Sequence, residues 1–123
     1  MNKNRPVNLN LGAFKWPITA ISSGLHRITG ILLFLSIPFW LWALQESFTA
    51  DGFVYVKGLL SGIIAKAIAW LLLSMLAYHI VAGVRHLLMD AGIGETLEGG
   101  RRGSYTVLVL GVLSAALIGV WLW

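Results

Sequence analysis

Ala67-Ile68-Ala69-Trp70-Leu71-Leu72-Leu73-Ser74-Met75-Leu76-Ala77-Tyr78-His79-Ile80-Val81-Ala82-Gly83-Val84 decides the fold of this chain. The run is almost wholly apolar, and the longer segment around it, about residues 59–89, exceeds the roughly 20 residues a helix needs to cross the hydrocarbon core of a bilayer. Two further apolar runs flank it, at about 22–45 and 104–123. Within lipid only helices and closed barrels satisfy the backbone, and no alternating barrel pattern is present. The expected fold is therefore all-α: one membrane domain over 1–123, an integral membrane bundle of three transmembrane helices.

Composition agrees. The 123 residues are 58% hydrophobic and 11% charged, against about 25% charged in soluble domains. Lipid must act as solvent for part of this surface. The chain has no cysteine, which excludes a disulfide framework, cluster ligands of its own and a covalent c-type haem. The net charge of +4 sits at the ends of apolar runs and argues against nucleic acid. Neither a secretory nor an organellar signal is read in the N-terminus.

Lys3, Arg5, Lys15 and Arg27 gather near the N-terminus, and Arg85, Arg101 and Arg102 gather around the second loop. The positive-inside rule then expects residues 1–21 and the second loop in the cytoplasm, with the C-terminus outside. Trp40, Trp42, Trp121 and Trp123 fall near the outer interface, and Trp16 near the inner one. The second run is long enough to tilt or to protrude. Pro38 is placed to kink the first. Gly111, Ala115 and Gly119 form a small-residue stripe that admits a neighbouring helix. Arg85 and Asp90 either pair or mark the interface.

His79 is costly at membrane depth and calls for a partner or a function. Three readings are open: a haem ligand, a histidine hydrogen-bonded across the bundle, and a proton relay. His79 and His86 share a helix face, roughly 10 Å apart along the axis, so they cannot flank one iron. A second ligand would come from His26 or from another subunit. Gly83, one turn after His79, leaves a gap for a porphyrin or for helix packing. Ser23 and Arg27 share a face of the first span, as do His26 and Gly30. Arg27 suits a haem propionate, a quinone head or lipid phosphate.

Two segments carry a family likeness. The first is Arg5-Pro6-Val7, Leu11, Ile18, Ser23 and His26-Arg27-Ile28-Thr29; the second is His79, Gly83-Val84-Arg85-His86-Leu87, Met89-Asp90 and Gly92. The chain resembles the cytochrome b556 subunit of bacterial succinate dehydrogenase, a membrane anchor of respiratory complex II, over essentially its whole length. The resemblance implies haem b with His79 as axial ligand and the second ligand on a companion anchor subunit. It places His26, Arg27, Gly83 and His86 near the haem. It places Ser23 and Arg27 in a ubiquinone pocket that the iron–sulfur subunit completes. Trp16 and Gly24 fall on pocket positions but depart from the apolar residues expected there. FAD and iron–sulfur clusters would belong to the flavoprotein and iron–sulfur subunits, which oxidise succinate, and the location would be the bacterial inner membrane. The competing readings are the anchor of a quinol:fumarate reductase and a cofactor-free structural or transport subunit.

Overall fold

Two residues in extended conformation, Pro17 and Gly62, precede the first and second long helices. A computed structural model describes Gly12 and residues 15–123. Pro17, with φ −64° and ψ 147°, precedes α1 (Ile18–Glu46). Gly62, with ψ 146°, is the single extended residue between α2 (Ala50–Ser61) and α3 (Ile63–Asp90). The last helix, α4, spans Leu97–Leu122. Among the described residues there is no strand. Three helices, α1, α3 and α4, are long and apolar enough to cross a membrane, as expected. Lys3, Arg5, Pro6, Val7 and Leu11 lie outside the described residues.

The boundaries refine the expected spans. The first loop is not open chain but contains α2, capped by the Thr49 hydroxyl, which accepts from Gly52 N at 3.1 Å. Residues 59–61 belong to α2. α3 itself, at 28 residues, still exceeds the roughly 20 that a span needs. The third span, α4, starts at Leu97 rather than near 104, because Thr96 caps it by accepting from Gly99 N at 3.1 Å. Its first turns therefore carry Glu98, Arg101 and Arg102. α1 passes through Pro38 without interruption.

α3 ends in a Schellman turn. Gly92 adopts φ +81°, which a side chain would strain. Gly92 N donates to Met89 O and Ile93 N to Leu88 O, both at 2.9 Å.

The helices pack through small residues. Ala82, Val107, Ser22 and Ser104 are essentially fully buried, while most large apolar side chains face outward. This is the inverse of a soluble core and matches a bundle whose outer solvent is lipid. The Gly111/Ala115/Gly119 stripe faces α3 and seats aromatic rings. A Cβ on Gly111 would stand 2.7 Å from Tyr78 Cδ2, and one on Gly119 would stand 3.2 Å from Trp70 Nε1. Trp70 Nε1 donates to Ala115 O at 2.8 Å. Tyr78 then crosses to α1, its hydroxyl donating to Ser22 O at 2.9 Å.

Arg85 does not pair with Asp90. It turns to α4, lies along Gly103 and donates from Nη2 to Gly100 O at 3.1 Å. Among the described residues the ion pair is Arg102 with Glu98, one turn apart and exposed.

Candidate functional site: a three-histidine cluster between α1 and α3

Antiparallel packing of α1 against α3 brings all three histidines together. The rings of His26 and His79 stack with centroids 4.1 Å apart and planes 18° apart. His86 tilts against the other side of the group, 5.0 Å from His26 and at 41°. His79 and His86 therefore do share the α1-facing side of α3, and His26 joins them from α1.

The hydrogen bonds of His79 define its chemistry. Its Nδ1 lies 3.1 Å from the carbonyl oxygen of His26 and 3.2 Å from Thr29 Oγ1. The Thr29 hydroxyl itself donates to the same carbonyl at 2.9 Å. A carbonyl only accepts, so Nδ1 of a neutral His79 carries the proton, and Nε2 keeps its lone pair. Nε2 makes no hydrogen bond to the described residues. This arrangement, one ring nitrogen tied to a carbonyl and the other free, is the one used by ligating histidines.

Gly30 makes the geometry possible. A Cβ there would stand 2.9 Å from His79 Cε1, too close for any side chain without displacing the ring. Gly83 faces the other ring of the stack, where a Cβ would stand 3.6 Å from His26 Nε2, an ordinary contact. The gap at Gly83 is thus taken by His26. His26 Nε2 is buried and has no hydrogen-bond partner.

The stack also removes one of the two sources of an opposite ligand. Two imidazoles in van der Waals contact leave no space for an iron and a porphyrin between them. His26 cannot lie across an iron from His79 in this arrangement. Nor is any group of three or more His, Cys, Asp or Glu among the described residues arranged to hold a metal by itself.

The remaining positions lie along α1. Arg27 is exposed and Ser23 half-buried. A Cβ on Gly24 would meet nothing within 4 Å, so α1 presents an open surface there. Trp16, 53% exposed, lies ahead of α1 and lines a groove toward α4. That groove is lined by none of Ser23, Gly24 and Arg27. Sequence reasoning passed over Thr29 as an anchor for His79 and Gly30 as its seat. The signal was available, since both lie within four residues of His26 and Gly30 shares its face.

Comparison with known proteins agrees with this architecture. Residues 1–118 match the succinate dehydrogenase/fumarate reductase transmembrane subunit family. The chain is 42% identical over its whole length to the whole of a succinate dehydrogenase cytochrome b556 subunit from Coxiella burnetii. It is 34% identical to the cytochrome b556 subunit of Paracoccus denitrificans, covering 93% of this chain and 88% of the relative. It is 33% identical to the mitochondrial cytochrome b560 subunit of Bos taurus, covering 91% of this chain and 68% of that protein. The chain therefore belongs to the succinate dehydrogenase/fumarate reductase transmembrane-subunit family.

Proposed function

We propose that this chain is the cytochrome b membrane anchor of a succinate:ubiquinone oxidoreductase and contributes one axial ligand to a haem b shared with a second anchor subunit. The observation that carries the reading is the His79 imidazole, protonated at Nδ1 by its bond to His26 O and free at Nε2. The family and the cytochrome b names of the relatives supply the cofactor class.

The residues present fit half of a haem site. His79 Nε2 would bind the iron. His26 and His86 stand beside it, and Arg27, on the same helix as His26, has the charge to neutralise a propionate. The buried, unpartnered Nε2 of His26 is a polar atom that this chain leaves unsatisfied. Such an atom costs about 1–3 kcal/mol, so a group from outside the chain is favoured there. Bound haem b would supply a one-electron store close to the quinone.

Ser23 and Arg27, one turn apart on α1, would hold one carbonyl oxygen of ubiquinone. Arg27 would stabilise the negative charge that develops there as electrons arrive. Gly24 would shape the rim, and the iron–sulfur subunit would close it. The chain has no cysteine for a cluster, so succinate oxidation and electron delivery belong to the flavoprotein and iron–sulfur subunits. The basic ends of α1 and α4 support a cytoplasmic N-terminus and α3–α4 loop at a bacterial inner membrane.

A reduced-minus-oxidised optical spectrum of the purified complex tests this reading. A b-type α-band that disappears with His79→Ala is the expected result. A normal band in that variant would end the assignment of His79.

A further inference from the structure

We propose that the groove between the start of α1 and the start of α4 is a binding site for one anionic phospholipid. The inference needs only the membrane-spanning fold and does not depend on the haem or quinone assignments. The groove has a volume of about 520 Å³ and is lined by Lys15, Trp16, Ile21, Leu97, Arg101 and Tyr105, among others.

Charge identifies the occupant. Two cations face this groove and no acid lines it. The acids of the whole chain are Glu46, Asp51, Asp90, Glu95 and Glu98. Glu98 is paired with Arg102. Glu46 and Asp51 lie at the opposite end of the bundle. Neither Lys15 nor Arg101 forms an ion pair among the described residues. A third cation stands behind the groove. Thr19 of its lining lies against Gly100, whose carbonyl accepts from Arg85 Nη2. Arg85 Nε is buried without a partner. Positive charge gathered where a helix bundle leaves the bilayer is complementary to lipid phosphate.

The shape below the charges fits an acyl chain. Arg101, Tyr105, Leu108 and Val112 follow one another at intervals of four, three and four, so they lie on one face of α4. Leu108, Val109, Val112 and Leu113 line a second, wholly apolar groove of about 280 Å³ on that face. The order from the membrane boundary inward is therefore cations, then the aromatic rings of Trp16 and Tyr105, then an apolar track. That is the order of phosphate, glycerol and acyl chain in a phospholipid.

Native mass spectrometry of the purified, delipidated complex, supplied with phosphatidylglycerol or phosphatidylcholine of matched chains, tests the site. The wild-type complex should retain phosphatidylglycerol in preference. Each cation removed should weaken that preference roughly fivefold, so Lys15→Gln with Arg101→Gln should weaken it roughly twenty-five-fold. Arg101→Lys should keep most of it, and Arg102→Gln, in an exposed ion pair, should leave it unchanged. If the double variant fails to assemble, the single Arg101→Gln variant decides, by its fivefold loss. Equal retention of the two lipids by the wild type would overturn the proposal, as would an undiminished preference in the variants. Loss of a protein subunit from the variants with lipid binding intact would also overturn it, by showing that the groove is a protein contact.

Discussion

The imidazole of His79 lies flat on that of His26, 4.1 Å between centroids, and is tied at the same time to the backbone carbonyl of His26 at 3.1 Å. One residue of α1 thus fixes both the plane and the tautomer of the α3 histidine. His26 therefore lies in van der Waals contact beside His79, with no space for another group between the two rings.

Gly30→Ala should disturb this site without unfolding the helices. The new methyl would meet His79 Cε1 at 2.9 Å and force the ring off its carbonyl. Overpacking of this kind costs about 1–3 kcal/mol. The expected outcome is a shifted haem midpoint potential or reduced haem content at unchanged subunit stoichiometry. Redox titration of the purified complex measures it, and a wild-type titration curve would refute the role of Gly30.

Thr29→Val keeps the shape of the side chain and removes the hydroxyl that lies 3.2 Å from His79 Nδ1. Interhelical hydrogen bonds of this class contribute about 0.6 kcal/mol in membranes, and up to about 1.7. A small shift in haem potential is expected, with Thr29→Ser close to wild type. Equal behaviour of the two variants would show that the hydroxyl does not act on His79.

Arg27→Ala should separate the two halves of the proposed reaction. Loss of one charge-stabilising donor typically lowers turnover by about 10²–10³. Succinate:ubiquinone reduction should fall on that scale, while succinate oxidation by an artificial acceptor at the dehydrogenase subunits should persist. Parallel loss of both activities would indicate failed assembly and would count against a quinone role.

Gly111→Leu tests the packing that carries the site. A Cβ at this position stands 2.7 Å from Tyr78 Cδ2, and Tyr78 in turn reaches Ser22 O on α1. The variant should lower the thermal stability of the complex, and Tyr78→Phe should lower it less, by about 0.6 kcal/mol. Differential scanning fluorimetry of the two complexes ranks them; a Gly111→Leu complex as stable as wild type would mean the stripe does not hold α3.

Much of this protein is legible without coordinates. Three spans follow from the length of the apolar runs, because lipid imposes a length that a soluble core does not. The separation of His79 and His86 follows from helix rise alone. The matching segments around His26 and His79 carry the family. Short-range chemistry at the ends was less legible. The caps at Thr49 and Thr96 extend helices into segments that read as polar loops, since a cap depends on one hydroxyl and not on a run.

What the sequence by itself determined is the number of spans, their order and the residue types able to ligate or neutralise a cofactor. Helix periodicity and the cost of polar groups in lipid are local properties, so they can be read along the chain. Only the tertiary structure decided which ring nitrogen of His79 is free, that His26 lies beside it and not across from it, that Gly83 is filled by His26, and that Arg85 turns to α4. Those outcomes depend on where α1, α3 and α4 approach within a few ångströms, and that distance is set by glycines whose effect appears only when a second helix is packed against them.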